Sequence, residues 1–172
     1  MHIRQTTSID IEAVNDIYRY AKANFKAQGI DQWQGKYPDA EVIAEDVAQG
    51  VGYVLEDGGR VIGAVAITQL PEESYRGIYD GAWLTEGERY VTVHRIAIAG
   101  ARKGAGLSKL LMQEADRLAR QVGCPSVRAD THPDNRVMQR LMEGLGYRRC
   151  GMIRLTRGDE AAGLRMCYEK IL

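Results

Sequence analysis

The chain has little that marks a binder of nucleic acid or lipid. Its 172 residues carry 23 basic and 23 acidic side chains, so no charge of either sign is left over. A general nucleic-acid or membrane-surface binder usually shows a basic surplus, and the balance turns the reading towards small-molecule chemistry. Cysteine and histidine are scarce. Cys124, Cys150 and Cys167 form no CxxC pair, and only His2, His94 and His132 could join them, which points to a reduced compartment without structural zinc or another metal. No run approaches the roughly 18–20 apolar residues of a membrane span. The opening stretch MHIRQTTSIDIEAV has no apolar core of signal-peptide length. The expectation is a cytoplasmic protein with neither nucleic acid nor membrane as partner. Repeats and low-complexity tracts are missing too, and the length suits one domain over 1–172 with a sizeable core.

What is present is periodicity. HIRQTT is extended in character, with Ser8 or Asp10 placed to cap a helix whose apolar face is Ile9, Ile11, Val14, Ile17, Tyr18 and Ala21. A second amphipathic helix follows over about Asp39–Gln49. GYVLEDGGRVIGAVAIT reads as a hairpin around Asp57-Gly58-Gly59, and RYVTVHRIAIA is the most strand-like run. Leu107, Leu110, Leu111, Ala115, Leu118 and Val122 then share a helical face that ends at Gly123 and Pro125. SVRADTH is a short strand. PDNRVMQRLMEGLGY begins with Pro133 and the capping candidates Asp134 and Asn135, and puts Val137, Met138, Leu141 and Met142 on one face. Two last strands, about Tyr147–Leu155 and Leu164–Ile171, flank the turn-like TRGDEAAG. The order β-α-α-β-β-β-α-β-α-β-β is that of an α+β fold rather than a repeated βαβ array. Residues 69–89 are the only long stretch without clear periodicity, and connections of that length are often functional.

Residues 98–111, IAGARKGAGLSKLL, place three glycines and two adjacent cations before a helix. Glycine lets backbone N–H groups approach an anion, and a helix start favours negative charge. A Walker loop would end in GK followed by Ser or Thr, which is missing here. A Rossmann fingerprint would want GxGxxG after an early strand, but Gly104-Ala105-Gly106 lacks the third glycine and follows the fourth strand. Both nucleotide readings weaken.

The remaining pattern resembles the GCN5-related N-acetyltransferase (GNAT) family, whose acyl-CoA loop reads Q/R-x-x-G-x-G/A after an LxV-like strand. Ile96-Ala97-Ile98 is similar to that strand motif, and Gly104, Ala105 and Gly106 match the end of the loop. The stretch DTHPDNRVMQRLMEGLGYRRCGMI looks like the later family segment, anchored by Asn135, Gly146 and Tyr147. The resemblance implies a mixed, mostly antiparallel sheet with strands four and five splayed and helices on its faces. It implies acetyl-CoA as acyl donor, a primary amine on a small molecule or protein as acceptor, and direct attack on the thioester. The pyrophosphate would sit on the loop amides from Arg102 and Lys103 through Gly104, Ala105, Gly106 and Leu107 to Ser108. The pantetheine arm would pair with the backbone of Ile96, Ala97 and Ile98 and with Asn135, and the Ile96 N–H would face the oxyanion. A homodimer is compatible with this reading. Two positions depart from the pattern: Ala101 stands where Arg or Gln is usual, and Met142 where many members carry a tyrosine acid. A non-catalytic acyl-CoA-binding or sensing domain is therefore the alternative.

Several side chains are candidates for the rest of the site. His94 has the reference pKa of a base, although strand alternation sets it on the same face as Ile96 and Ile98 unless a bulge changes the register. His132, Glu88 and Asp130 are weaker possibilities for proton transfer. Tyr168 could serve as the acid that reaches the sulfur, or simply pack. Trp33, Asp80 and Trp83 lie in turn-rich sequence and could wall an acceptor pocket, or anchor their loops.

Overall fold

A computed structural model of the chain describes residues 1–156, 158 and 160–172. Arg157 and Asp159, within the turn expected at TRGDEAAG, lie outside the described residues. The strands and helices follow in the order β1 (His2–Gln5), α1 (Ile11–Ala27), α2 (Ala40–Ala48), β2 (Gly52–Asp57), β3 (Arg60–Thr68), β4 (Val91–Ile98), α3 (Ser108–Gln121), β5 (Ser126–Thr131), α4 (Arg136–Gly144), β6 (Arg148–Arg154) and β7 (Leu164–Ile171). This is the order that periodicity predicts. The strands line up as β1-β2-β3-β4-β5-β7-β6 in a mixed sheet. Pairing is antiparallel for β1–β2, β2–β3, β5–β7 and β6–β7 and parallel for β4–β5. The parallel ladder ends at Val93 opposite Ala129, while β4 itself runs on to Ile98.

The chain divides into two compact units, residues 1–67 with 94–114 and residues 68–93 with 115–172. In the first, Asp39 caps α2 by accepting from the Glu41 and Val42 N–H groups, both at 3.1 Å. Entry into α1 goes through a short 3-10 turn at Ser8–Asp10. There the Asp10 carboxylate takes the Thr7 N–H and hydroxyl at 2.8 Å each and the Arg4 guanidinium at 2.7 and 2.9 Å. Val54, Ala64 and Ala97 of the strands pack with Val14, Ile17 and Tyr18 of α1, Ile43 of α2 and Trp33.

In the second unit, β7 lies between β5 and β6, with Tyr168 opposite both Ala129 and Arg149. Strand alternation sorts its side chains. One face carries Tyr168 and Lys170, which reach Glu143 of α4 and Asp116 of α3. The other carries Ser126, Arg128, Asp130, Arg165, Cys167 and Glu169, and residues 72–90 lie over it through Tyr75, Trp83, Thr85 and Tyr90.

The helical faces differ from expectation. On α3 the buried positions are Leu111, Met112, Ala115, Asp116 and Ala119, whereas Leu110 and Val122 are exposed. Asp116 takes an inward seat because Lys170 and the Tyr147 hydroxyl pair with it at 2.5 and 3.2 Å. On α4, Val137 is exposed and Gln139 buried. The Gln139 amide donates to the carbonyls of Pro133 and His132 at 2.7 and 3.4 Å, satisfying groups ahead of the helix.

Candidate functional site

Between β4 and α3 the chain makes a 3-10 turn at Gly100–Arg102 and then an exposed loop. Some loop amides are consumed internally: Lys103 N–H meets the Gly100 carbonyl, Ala105 that of Arg102, and Lys109 that of Gly106, at 3.2, 3.4 and 3.1 Å. Among the described residues, no backbone carbonyl meets the N–H groups of Gly104, Gly106, Leu107 and Ser108. They stand at the start of α3, a 14-residue helix, whose orphan N–H groups and dipole favour an anion. Gly104 and Gly106 have φ of +83° and +71°, and a Cβ on either would meet nothing within 4 Å. Their requirement is thus conformational, since a side chain would oppose the left-handed backbone rather than collide. The two loop cations have partners. Arg102 pairs with Asp57 at 2.7 Å and Lys103 donates to Asn24 Oδ1 at 2.8 Å. No group of three or more His, Cys, Asp or Glu side chains is placed to hold a metal among the described residues.

On β4, Arg95 has φ +54°, a left-handed conformation that an arginine rarely adopts inside a strand. Its side chain is tied down by Asp46 of α2, with Nε at 3.1 Å and Nη2 at 2.6 Å, and by the Tyr37 hydroxyl at 2.8 Å. Ala97 is buried, while His94, Ile96 and Ile98 are half-buried. Burial, helped by the neighbouring Arg95 charge, pushes the His94 imidazole down to about 3. It is neutral across the neutral pH range, and its affinity for a proton is weak.

The other candidates have internal partners in most cases. Trp33 is buried against Tyr18 and Phe25, with ring centroids at 5.8 and 5.5 Å. Trp83 donates its indole N–H to the Tyr75 carbonyl at 2.9 Å and stacks on Arg128 at 4.4 Å. Asp80 is exposed, with φ +54°. Asn135 caps α4, its Oδ1 accepting from the Met138 N–H at 3.2 Å. Tyr168 is buried and donates to Glu143 and to the Met166 sulfur at 3.1 and 3.2 Å; burial first, then the Glu143 contact, pushes its hydroxyl up to about 12. Met142 is fully buried. His132 Nδ1 accepts from the Asp134 N–H at 3.1 Å, the geometry of a turn. Glu88 is exposed and paired with Arg76. Asp130 is far from solvated: it accepts from the Tyr75 hydroxyl at 2.8 Å, and Arg165 lies 3.8 Å away.

The structure thus brings Ile96–Ile98 and Arg102–Ser108 together in the first unit and places Asn135, Tyr168, Asp80 and Trp83 in the second. Two networks went unread in the sequence. One is Arg95 with Asp46 and Tyr37. The other is Glu169, fully buried, which collects the Leu84 and Thr85 N–H groups, the Thr85 and Ser126 hydroxyls and the Arg128 guanidinium. A run of charges at alternate positions, Arg128 and Asp130 on β5 and Arg165 and Glu169 on β7, was the available signal for a buried polar face. Nothing in the sequence marks Arg95 as left-handed.

Comparison with known proteins follows the same lines. The chain matches the model of the acetyltransferase (GNAT) family over residues 14–147. It is similar to a GNAT-family acetyltransferase structure from Streptococcus agalactiae, at 34% identity and a TM-score of 0.88, covering 99% of this chain and 95% of that one. At 18% identity and a TM-score of 0.70, it shares the fold of yncA from Salmonella typhimurium, solved with acetyl-CoA as its cofactor, over 100% of this chain and 94% of that one. At 20% identity and a TM-score of 0.72, it shares the fold of a ribosomal-protein-alanine N-acetyltransferase from Brucella melitensis over the whole of both chains. No curated protein matches it.

Proposed function

Because the chain belongs to the acetyltransferase (GNAT) family, we propose that it transfers an acetyl group from acetyl-CoA to a primary amine on a small molecule or an exposed protein group. The observation that carries the reading is the set of open amides at Gly104, Gly106, Leu107 and Ser108, where β4 hands over to α3. Four N–H groups and a helix start suit a pyrophosphate without any help from a side chain at Ala101. Arg102 and Lys103 border the loop, and their surface hydrogen bonds are cheap to exchange for phosphate oxygens.

Acetyl-CoA, when bound, supplies an acyl group activated as a thioester. In this reading the backbone of Ile96, Ala97 and Ile98, beyond the end of the parallel ladder, hydrogen-bonds the pantetheine arm, and the Ile96 N–H faces the acyl oxygen. The attacking amine has to be unprotonated. His94 stays neutral and orients rather than stores a proton, with water as the proton's destination. Tyr168 is assigned to the thiolate only through release of its bond to Glu143. Exposed Asp80 favours a cationic acceptor, while Trp33 and Trp83 shape their loops from within.

One observation favours a second reading. Met142 is fully buried where a tyrosine acid is common in the family, and the Tyr168 hydroxyl is already engaged. A domain that binds acyl-CoA without turnover fits both facts. Calorimetry with acetyl-CoA, paired with thiol release over a panel of amines, separates them. Binding with turnover of at least one amine supports transfer, and binding with no thiol release supports the sensor. Magnesium-dependent ATP binding that CoA fails to compete away overturns both.

A further inference from the structure

We propose that Arg95, clamped by Asp46 and Tyr37, is the positioning residue that aims the Ile96 N–H at the acyl oxygen. The proposal rests on the acetyl-CoA reading above. A left-handed residue turns the peptide plane that follows it, and the plane after Arg95 carries the Ile96 N–H. Glycine would adopt this conformation without strain. An arginine adopts it only when its surroundings over-determine it, and here they do.

Three of the guanidinium nitrogens are held: Nε and Nη2 on the two Asp46 oxygens at 3.1 and 2.6 Å, and Nη1 on the Tyr37 hydroxyl at 2.8 Å. The guanidinium carbon also lies 5.8 Å from the Tyr37 ring centroid. Both charged side chains are nearly enclosed, with exposures of 14% for Arg95 and 10% for Asp46. Asp46 sits on α2, a helix fixed by its Asp39 cap and by Ile43 in the core. The groups acting on Arg95 from its surroundings are Asp46, Tyr37 and the buried Tyr18 phenol of α1. A planar fork bound on two sides resists rotation, so the backbone it hangs from cannot relax into regular strand. A pair that merely held α2 to the sheet would have no need of a left-handed backbone.

The kink sits between the last residue of the parallel ladder, Val93, and the segment Ile96–Ile98 assigned to the pantetheine arm. Its position is where a change in backbone direction reorients that segment. The clamp acts through Ile96 and touches no substrate.

The test uses the isotope-labelled full chain and compares the Ile96 amide signal with acetyl-CoA and with CoA. The acetyl group alone distinguishes the two ligands, so the difference reports an N–H facing the acyl oxygen. In the unaltered protein that difference is expected to be present. In Asp46→Ala it is expected to collapse, with CoA affinity within about threefold and kcat lowered on the order of 10²-fold, the usual loss for one displaced backbone donor. Asp46→Asn keeps the volume and one acceptor, and covers the case in which the alanine variant folds poorly. Adding Arg95→Gly to Asp46→Ala is expected to restore most of the difference and of kcat, because glycine needs no anchor. Persistence of the acetyl-CoA difference in both Asp46 variants overturns the proposal, as does an equal loss of CoA affinity and turnover. If the unaltered protein binds no acetyl-CoA, the functional reading fails separately. The ligand-free Ile96 amide then still decides on the clamp, and a signal unmoved by both Asp46 variants overturns it.

Discussion

Two connections of this chain look alike as sequence and differ as structure. Residues 99–108 and residues 69–90 are both polar, glycine-bearing and flanked by strand or helix. In the second, the backbone is tied at several points to the strands beneath it. The Glu72 N–H meets the Tyr90 hydroxyl at 3.0 Å, and Tyr79 and Met152 exchange both N–H···O bonds at 2.9 Å. Gly81 crosses so near Cys150 that a Cβ would stand 1.9 Å from its carbonyl oxygen, and the Leu84 and Thr85 N–H groups end on Glu169. The first connection leaves a row of amides to solvent or to a ligand. The difference teaches that neither glycine nor polarity marks a binding loop. What sets the first apart is where its open amides stand, at the start of a 14-residue helix whose dipole favours an anion.

The sharpest way to break the comparison is to remove the group that closes residues 69–90. Glu169→Ala leaves the Arg128 guanidinium buried without its carboxylate and strips two loop amides of their acceptor. Losing one partner of a buried pair costs about 3–5 kcal/mol. For a chain of this size, that lowers the melting temperature on the order of 10 °C. CoA affinity at a temperature where the variant is folded should not change. A melting temperature within about 2 °C of the unaltered protein would show that the closure contributes little.

A second effect comes from Asp130 under the same cover. Burial pushes its carboxyl up to about 6, against the Tyr75 hydrogen bond and the Arg165 charge, which pull it down; Glu72 and Glu160 add to the rise. The folded pKa lies above the unfolded one, so the contribution is complete below about pH 4 and is lost as pH rises through about 6. Asp10, Asp39 and Glu169 shift the other way and lose stability as pH falls. Their slope is common to both proteins when the unaltered chain is compared with Asp130→Asn, in which Oδ1 can still accept from Tyr75. Between pH 4 and 6.5 the stability of the unaltered chain relative to the variant should decline by about 2 kcal/mol. Parallel stability curves would place Asp130 in an ordinary solvated environment.

What the sequence revealed follows from how local each cause is. Asn135 was legible as a capping candidate, the helix near Asp39 by its periodicity, and Asp57-Gly58-Gly59 as a hairpin turn, because the chemistry lies within a few residues. The glycine loop was legible for the same reason. The apolar stripes of α3 and α4 were legible as helices but not in their rotation, since Asp116 and Gln139 take inward seats only through partners on other elements. Trp33 and Trp83 read equally well as pocket walls or anchors, and their ring contacts and the Trp83 hydrogen bond involve residues that no local pattern links to them. The Arg95 kink and the Glu169 hub depend on residues about 40 or more positions away, beyond the reach of any local pattern.

The smallest effect tests the open loop itself. Gly104→Val and Gly106→Val meet no steric obstacle, because a Cβ at either position has nothing within 4 Å. The cost is a branched side chain held at positive φ, about 1–2 kcal/mol if the loop keeps its shape. An exposed loop has the option of relaxing to ordinary φ instead, and the open amides of Gly106, Leu107 and Ser108 are then presented in a different backbone shape. Either route should leave the melting temperature within a few degrees. CoA binding, measured by calorimetry, should weaken about tenfold, because the anion site consists of that backbone shape and of little else. The opposite pattern, a large fall in melting temperature with CoA affinity intact in both variants, would mean that the glycines serve a structural turn and that residues 99–108 matter for stability, as the contacts of residues 69–90 do.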